Sequence, residues 1–478
     1  MRAYLGVHLV GIFALTLAGG LGAQTRDLVD YVGTYEYHGN SRIEIVAAPS
    51  SGGARLVAVL DEAKYPLRFL GDDLFLNGVG DTIPFERDAE GWVLAFRERG
   101  VRFARLEDTV TRTTAASVVP RPRARDGRIP PYIYRPPSDL NDGIAVGDIA
   151  EAGLSRALAE TLVARILDGT YADVDGVLVF RRGRLVLEEY FYGYDHARPH
   201  QMRSATKSIV SALVGIAADL GNLSGERERV LPRLPYGPLS AYANPDPRKA
   251  SLTLGDLLTM RSGLACDDWD ASSPGNESRI VEQADWVKSV MDLPMVANPG
   301  TVARYCSGGV FVAERMVERA VRKPLTAFAH ERLFGPLGIR PNDVRWPLVL
   351  DSSNVGTYAQ LSMRPRDMLK LGVLFRDGGR WQGKRVISRA WVERSTESTT
   401  RIGSRGYGYF WWRQPFDVAT PRGTRHFDVL NASGNGGQKI YILPELDAVI
   451  VFTGSAYNNE HTPPNAIMQE LLMPALAK

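Results

Sequence analysis

Hydrophobic and polar residues alternate in short runs over the first quarter of the chain. The runs span residues 31–35, 42–46, 55–60, 92–96 and 101–103, and turn-forming residues separate them. Alternation with a period of two puts the apolar side chains on one face of a strand. Several short strands at this spacing indicate an antiparallel sheet or barrel. We therefore predict a small β-rich accessory domain at residues 24–110.

The pattern changes to mixed helices and strands from residue 139 onward. Residues 176–190 predict a β-hairpin, and residues 439–443 and 448–452 predict two strands separated by Pro444. Two long apolar segments, 209–220 and 310–320, have helical spacing, and the first ends at Gly221. Residues 111–138 are rich in arginine and proline and predict a linker. The second predicted domain therefore spans residues 139–478.

The N-terminus carries the pattern of an export signal. Arg2 precedes an apolar run at residues 7–18, and small residues follow as far as Ala23. The run is shorter than the roughly 20 residues that span a bilayer. We expect a signal peptide at 1–23, a periplasmic or secreted mature protein and no transmembrane span after cleavage. An uncleaved membrane anchor is the alternative.

Composition narrows the classes of function. The 478 residues carry a net charge of only +3, and the basic residues are scattered, so we expect no nucleic-acid partner. His330-Glu331 lacks the second histidine of a zinc-protease motif, and we expect no metal or other cofactor. Cys266 and Cys306 are the only cysteines, and the sequence leaves open whether they form a disulfide.

The main chemical signal is Ser204-Ala-Thr-Lys207 at the start of the first long apolar helix. Residues three apart share a helix face, so the Lys207 amine can reach the Ser204 hydroxyl. A serine hydroxyl becomes a good nucleophile when a neighbouring base takes its proton. The helix N-terminus adds backbone N–H groups suited to an oxyanion. We assign Ser204 as nucleophile, with Lys207 as a candidate base beside it.

Two further motifs follow the first one. Tyr305-Cys-Ser307 opens the second long helix, and Tyr305 is a candidate proton relay. Ser433-Gly434-Asn435 leads through glycines into a strand, where a backbone N–H can face a developing oxyanion. Taken singly, a buried structural tyrosine and a plain turn explain these two motifs as well.

The order of the three motifs resembles that of the serine β-lactamase and penicillin-binding protein superfamily. The resemblance implies an α/β catalytic domain of the β-lactamase/transpeptidase type, an antiparallel sheet flanked by helices with an all-helical subdomain. It also implies the following roles. The implied catalytic residues are Ser204, Lys207 and Tyr305. The implied oxyanion hole consists of the N–H groups of Ser204 and Asn435. The implied substrate-binding residues are Ser307, Ser433 and Gly434. Whether Lys207 or Tyr305 is the immediate base stays open.

Departures from the family pattern direct the functional expectation. Ala432 stands where β-lactamases carry lysine, and Ser307 stands where most carry asparagine. The motif style resembles family VIII esterases and nylon-oligomer hydrolases, so we expect an acyl-enzyme hydrolase of small esters, amides or peptide-like compounds. The alternatives are a β-lactamase or D-alanyl-D-alanine carboxypeptidase and a non-catalytic cell-envelope binding protein. Several aromatic residues can line the pocket or fill the core: Trp269, Tyr407, Tyr409, Trp411 and Trp412.

Overall fold

The computed structural model describes residues 28–37, 41–50, 53–60, 63–78, 80–98, 100–106, 120–121, 130–346, 361–420, 423–458 and 463–478. The predicted signal peptide and most of the predicted linker lie outside these ranges, and the domain boundaries stay predictions. No helix of the described ranges is long and apolar enough to cross a membrane.

The N-terminal unit is a closed barrel of eight antiparallel strands in sequence order. The strands are β1 (Gly33–Tyr37), β2 (Ser41–Ser50), β3 (Gly53–Leu60), β4 (Ala63–Gly71), β5 (Leu74–Leu76), β6 (Thr82–Arg87), β7 (Val93–Glu98) and β8 (Val101–Arg105). Aromatic rings fill its interior, and edge-to-face contacts join Tyr31, Tyr35 and Phe85. The predicted all-β unit is confirmed. The hydrophobic pattern did not predict its middle strands β4–β6.

The second unit is built on an eight-stranded antiparallel sheet of order β10-β9-β21-β20-β19-β18-β17-β16. Its strands are β9 (Val174–Arg181), β10 (Arg184–Tyr190), β16 (Thr400–Ile402), β17 (Arg405–Tyr407), β18 (Trp412–Thr420), β19 (Gly423–Gly434), β20 (Gln438–Leu443) and β21 (Ala448–Gly454). Short strands outside it are β11 (His200–Gln201), β12 (Val344–Arg345), β13 (Ser362–Met363), β14 (Arg380–Trp381) and β15 (Lys384–Arg385).

Helices cover both faces of this sheet. They are α1 (Arg156–Leu167), α2 (Thr206–Asp219), α3 (Leu254–Leu258), α4 (Glu277–Ile280), α5 (Trp286–Asp292), α6 (Gly308–Val321), α7 (Leu325–Ala329), α8 (Pro365–Arg376), α9 (Arg389–Thr396), α10 (Pro463–Ile467) and α11 (Met473–Leu476). Successive strand residues point to opposite faces, so β20 alternates between two cores. Ile440 belongs to the core that also contains residues of α2, α6 and α8, whereas Tyr441 belongs to the core that contains residues of α1 and the C-terminal helices.

The predicted catalytic fold is confirmed. Between β11 and β12 the chain forms helices and 3-10 turns without a strand, which gives the all-helical part. The two long predicted helices correspond to α2 and α6, and the predicted hairpin corresponds to β9 and β10. Helix α2 lies between the sheet and the helical part, so its N-terminus opens where the two meet.

Candidate active site

Ser204 and Lys207 meet at the N-terminus of α2. Ser204 lies in a 3-10 turn, Arg203–Ala205, that runs directly into the helix. The Lys207 Nζ donates a hydrogen bond of 2.8 Å to the Ser204 Oγ. Lys207 is buried, while Ser204 is only partly covered. This is the geometry that serine activation by a neighbouring base requires.

The backbone around Ser204 is held in an unusual conformation. Arg203, the residue before the nucleophile candidate, has a φ of 50°, in the left-handed region that a residue with a side chain rarely adopts. One helical turn on, the Ser208 hydroxyl donates a 2.7 Å hydrogen bond to the carbonyl of Phe410. That bond ties α2 to the segment before β18. The turn that contains Ser204 thus lies between the left-handed residue Arg203 and the helical turn that the Ser208 hydrogen bond holds.

Tyr305 lies beside Lys207 in a wall of aromatic rings. The Lys207 Nζ is 5.2 Å from the centre of the Tyr305 ring. Trp269 and Trp412 both stack against Tyr305, with centroid distances of 5.5 and 5.6 Å, and lie 6.4 Å from each other. Trp269 is 57% exposed, so this wall reaches solvent. The structure therefore brings together the first two predicted motifs.

The five aromatic residues singled out in the sequence divide into two groups. Tyr407 contacts both Tyr305 and Trp412 and belongs to the aromatic wall. Tyr409 packs against Trp391, and Trp411 packs against Phe375 inside the core. Trp269, Tyr407 and Trp412 thus lie in the aromatic wall, whereas Tyr409 and Trp411 lie in the core.

A disulfide joins Cys266 to Cys306 and settles the pairing that the sequence left open. The bond fastens the segment before Trp269 to the segment that carries Tyr305. Ser307 lies directly after it and is fully buried, with its hydroxyl 3.3 Å from a Glu277 carboxylate oxygen. Its predicted role in substrate binding stays a prediction, since its side chain points to the Glu277 carboxylate.

Asp268 is a site residue that the sequence analysis missed. Its carboxylate accepts hydrogen bonds from the backbone N–H groups of Ser307 and Glu277, at 2.7 and 3.0 Å. Burial raises the pKa of Asp268 to about 6, against the lowering effects of the Lys207 charge and the Ser307 hydrogen bond. Asp268 thus connects the Tyr305 segment electrostatically to Lys207. In the sequence, its position two residues after Cys266 was the one feature that pointed to Asp268.

The third motif lies at the end of β19, against the Ser204 turn. A Cβ on Gly434 would lie 2.2 Å from the carbonyl oxygen of Met202, so only glycine allows this approach. Asn435 follows in the turn to β20 and is exposed, whereas Ser433 is half-buried. The structure therefore brings the segments of Ser204 and Asn435 into contact, as an oxyanion hole made from both would need.

A second buried lysine accompanies the third motif. Lys439 on β20 lies opposite Ser433 on β19, and its Nζ donates a 2.5 Å hydrogen bond to the Ser433 Oγ. Burial and the nearby Arg405 charge lower the pKa of Lys439 to about 7. Arg405 itself lies over the Trp412 ring at 4.0 Å. A lysine amine therefore reaches Ser433 from the neighbouring strand, although Ala432 supplies none.

The chemistry of this site rests on side chains and backbone amides. Across the described ranges, histidine, cysteine, aspartate and glutamate form no group of three that could hold a metal ion. Ser204, Lys207 and Tyr305 together offer a nucleophile, a base and a phenol. Such a set is suited to acyl transfer.

Comparisons with known proteins give the fold and the family of this chain. The 6-aminohexanoate-dimer hydrolase of Paenarthrobacter ureafaciens is 24% identical over 298 residues, 58% of this chain and 71% of that protein. A family VIII carboxylesterase shares the fold, with a TM-score of 0.53 and 16% identity over 69% of this chain and 99% of that one. So does a penicillin-binding protein homologue from Caulobacter crescentus, with a TM-score of 0.50 and 14% identity over 70% and 99%. The sequence profile of the Beta-lactamase family matches residues 160–472, more than half of the chain, and this protein belongs to that family of hydrolases.

Proposed function

We propose that this protein is a serine hydrolase that cleaves a carboxylic ester or amide through an acyl-enzyme on Ser204. The observation that carries the proposal is the 2.8 Å hydrogen bond between Lys207 and Ser204 at a helix N-terminus. Lys207, with Tyr305 beside it, takes the Ser204 proton as the oxygen attacks the substrate carbonyl. The proton passes to the leaving group as the tetrahedral intermediate collapses, and water then releases the acid and frees Ser204.

In this mechanism, backbone N–H groups stabilise the negative charge that develops on the substrate oxygen. The N–H groups of Ser204 and Asn435 face the carbonyl oxygen as it gains negative charge, and Gly434 permits the close approach of their segments. The aromatic wall of Trp269, Tyr305 and Trp412 offers an apolar surface to the acyl or leaving group.

The substrate class follows from the third motif and from the amide-cleaving relative. Ala432 stands at the position where β-lactamases carry lysine, and it supplies no cation there. This favours substrates without the carboxylate of β-lactams. The name of the Paenarthrobacter relative identifies a hydrolase of a small amide dimer. We place the enzyme in the periplasm or outside the cell, because residues 1–23 have the signal pattern and disulfides persist in oxidising compartments.

The test is hydrolysis of p-nitrophenyl butyrate, 6-aminohexanoate dimer and a chromogenic cephalosporin by the full-length protein and two variants. Ser204→Ala should lose turnover by at least about a thousandfold, because alanine has no hydroxyl to form the acyl-enzyme. Ser211→Ala on the same helix should keep it. Full activity of Ser204→Ala would refute the mechanism. Faster turnover of the cephalosporin than of the ester and amide would assign a β-lactamase instead, and a single burst without turnover would indicate a binding protein.

A further inference from the structure

A buried charged cluster joins the barrel to the catalytic unit. Asp175 on β9 is fully buried, and the Lys64 Nζ from barrel strand β4 lies 3.3 Å from its Oδ1. His200 Nε2 lies 2.8 Å from Oδ2, and the Ser455 hydroxyl donates to Oδ1 at 2.9 Å. The Lys64 ammonium also lies 3.8 Å from the centre of the Tyr192 ring. Three donors from three parts of the chain thus converge on one carboxylate.

One of these donors leads directly to the nucleophile. His200 belongs to β11, four residues before Ser204, and β11 pairs with β13. Met202 continues the same segment, and its N–H donates to the Leu361 carbonyl at 2.8 Å. The position of the Ser204 turn therefore depends on how His200 is held. Asp175 bonds the Nε2 of its ring, and the Tyr194 ring packs against it at 4.8 Å.

A second donor leads to the other side of the proposed oxyanion hole. Ser455 is followed by Ala456, whose backbone bridges Gly436 on one side and Lys64 on the other. Asn458 then clamps Asn435: its backbone N–H donates to the Asn435 Oδ1 at 2.9 Å, and the two side-chain amides bond at 2.7 Å. The Asn435 turn is therefore supported by the segment that Ser455 and Lys64 anchor.

We propose that Lys64 of the barrel is a positioning residue of the active site, which holds the Ser204 and Asn435 segments in register through Asp175. Without the Lys64 cation, the buried carboxylate keeps only two of these three donors, and an under-compensated buried charge draws in water or moves its neighbours. Both remaining donors, His200 and Ser455, belong to segments that lead to the proposed oxyanion hole. A displacement of about 1 Å there is enough to slow the reaction strongly while leaving ground-state binding unchanged.

The charge balance of the cluster supports this role. Burial by itself raises the pKa of Asp175, but the Lys64 charge and the bonds from His200 and Ser455 bring it below its ordinary value. The carboxylate is therefore ionised, and the Lys64 Nζ lies 3.3 Å from it. A barrel that only added stability would not need to place a buried cation against the segments that carry catalysis.

The experiment compares Lys64→Met with the unmodified full-length protein in two assays. These are turnover of p-nitrophenyl butyrate and inhibition by phenylboronic acid, which forms a tetrahedral adduct resembling the transition state. Lys64→Met should lower kcat about tenfold to a hundredfold and weaken boronate inhibition by a similar factor, with KM within about twofold. Lys64→Arg should recover part of the loss. Unchanged kcat and boronate affinity in folded Lys64→Met would overturn the inference.

Two further variants separate positioning from folding. Lys249→Met removes another buried lysine, one whose ammonium bonds to the carbonyls of Asn244 and Met291, and should lower stability while kcat per folded molecule is retained. An equal loss of kcat in this control would overturn the inference. If Lys64→Met fails to fold, Asn458→Ala decides: loss of kcat supports the path to Asn435, and full retention overturns it.

The inference rests on the proposed function, and the two fail differently. Retained activity in Ser204→Ala removes the proposed function itself. Loss of activity in Ser204→Ala together with retained kcat in Lys64→Met removes only the role of Lys64.

Discussion

At the scale of single residues, a buried cation beside the third motif costs stability. The pKa of Lys439 falls from 10.5 to about 7 through burial and the Arg405 charge. Below pH 7 both folded and unfolded chains carry the charge, so folding bears the full cost of burying it. That cost declines as the pH rises from 7 toward 10.5, since the folded lysine is then already neutral.

Lys439→Met should therefore stabilise the protein most at pH 6 and progressively less toward pH 9.5. The shift in pKa corresponds to on the order of 5 kcal/mol at most, less the lost hydrogen bond to Ser433. Urea unfolding across this pH range measures the difference from the unmodified protein. The exposed Lys384→Met serves as control and should show no such pH trend. A gain that grows with pH would contradict the assignment.

The sequence predicted which residues make up the candidate site but not the groups that lie beside them. Ser204 and Lys207 are three residues apart, so local helix geometry was enough to pair them. Asp268 contacts Ser307 across 39 residues, and Lys439 reaches Ser433 through the register of β19 and β20. Such contacts depend on loop paths and strand register, which hydrophobic periodicity does not encode.

At the scale of elements, the close approach of β19 to the Ser204 turn demands glycine. Gly434→Ala would place a Cβ 2.2 Å from a backbone oxygen, which cannot rotate away. We expect a loss of about 1–3 kcal/mol in stability and a larger fractional loss of turnover, because the strain falls on the oxyanion segments. Thermal melts and ester hydrolysis measure the two effects.

Gly309→Ala in α6 is the matched control for this substitution. Its Cβ would meet the nearest neighbouring atom, on Leu257, at 3.6 Å, an ordinary contact. Alanine also has the higher helix propensity, so this variant should be as stable as the unmodified protein or more stable by up to about 1 kcal/mol. Equal losses in both variants would show that close packing at Gly434 has no special role.

Regular elements with clear periodicity were predictable, and short ones were not. Helices α2 and α6 follow from long apolar segments with helical spacing, and β20 and β21 follow from apolar runs on either side of Pro444. Strands β4–β6 were missed because β5 has only three residues and both β4–β5 and β6–β7 pairings contain register shifts. Barrel closure became visible only through strand pairing.

At the scale of the whole molecule, buried ion pairs couple the barrel to the catalytic sheet. Arg55 of β3 bonds Asp173, just before β9, at 2.5 Å, and Lys64 of β4 lies 3.3 Å from Asp175 on β9. Unfolding of the barrel alone would leave the Asp175 charge without its cation, which costs about 3–5 kcal/mol when one partner of a buried pair is removed. An intermediate with only the barrel unfolded is therefore disfavoured.

We accordingly expect both units to unfold in one transition. Hydrogen exchange read by mass spectrometry along a urea series measures it: peptides from β4 and β9 should lose protection at the same urea concentration. In Lys64→Met the coupling weakens, so β4 should lose protection first. Separate transitions in the unmodified protein would contradict the expectation, because they would mean that the catalytic unit tolerates Asp175 without its barrel cation. A shared transition would instead make the barrel part of the cooperative unit that contains the active site.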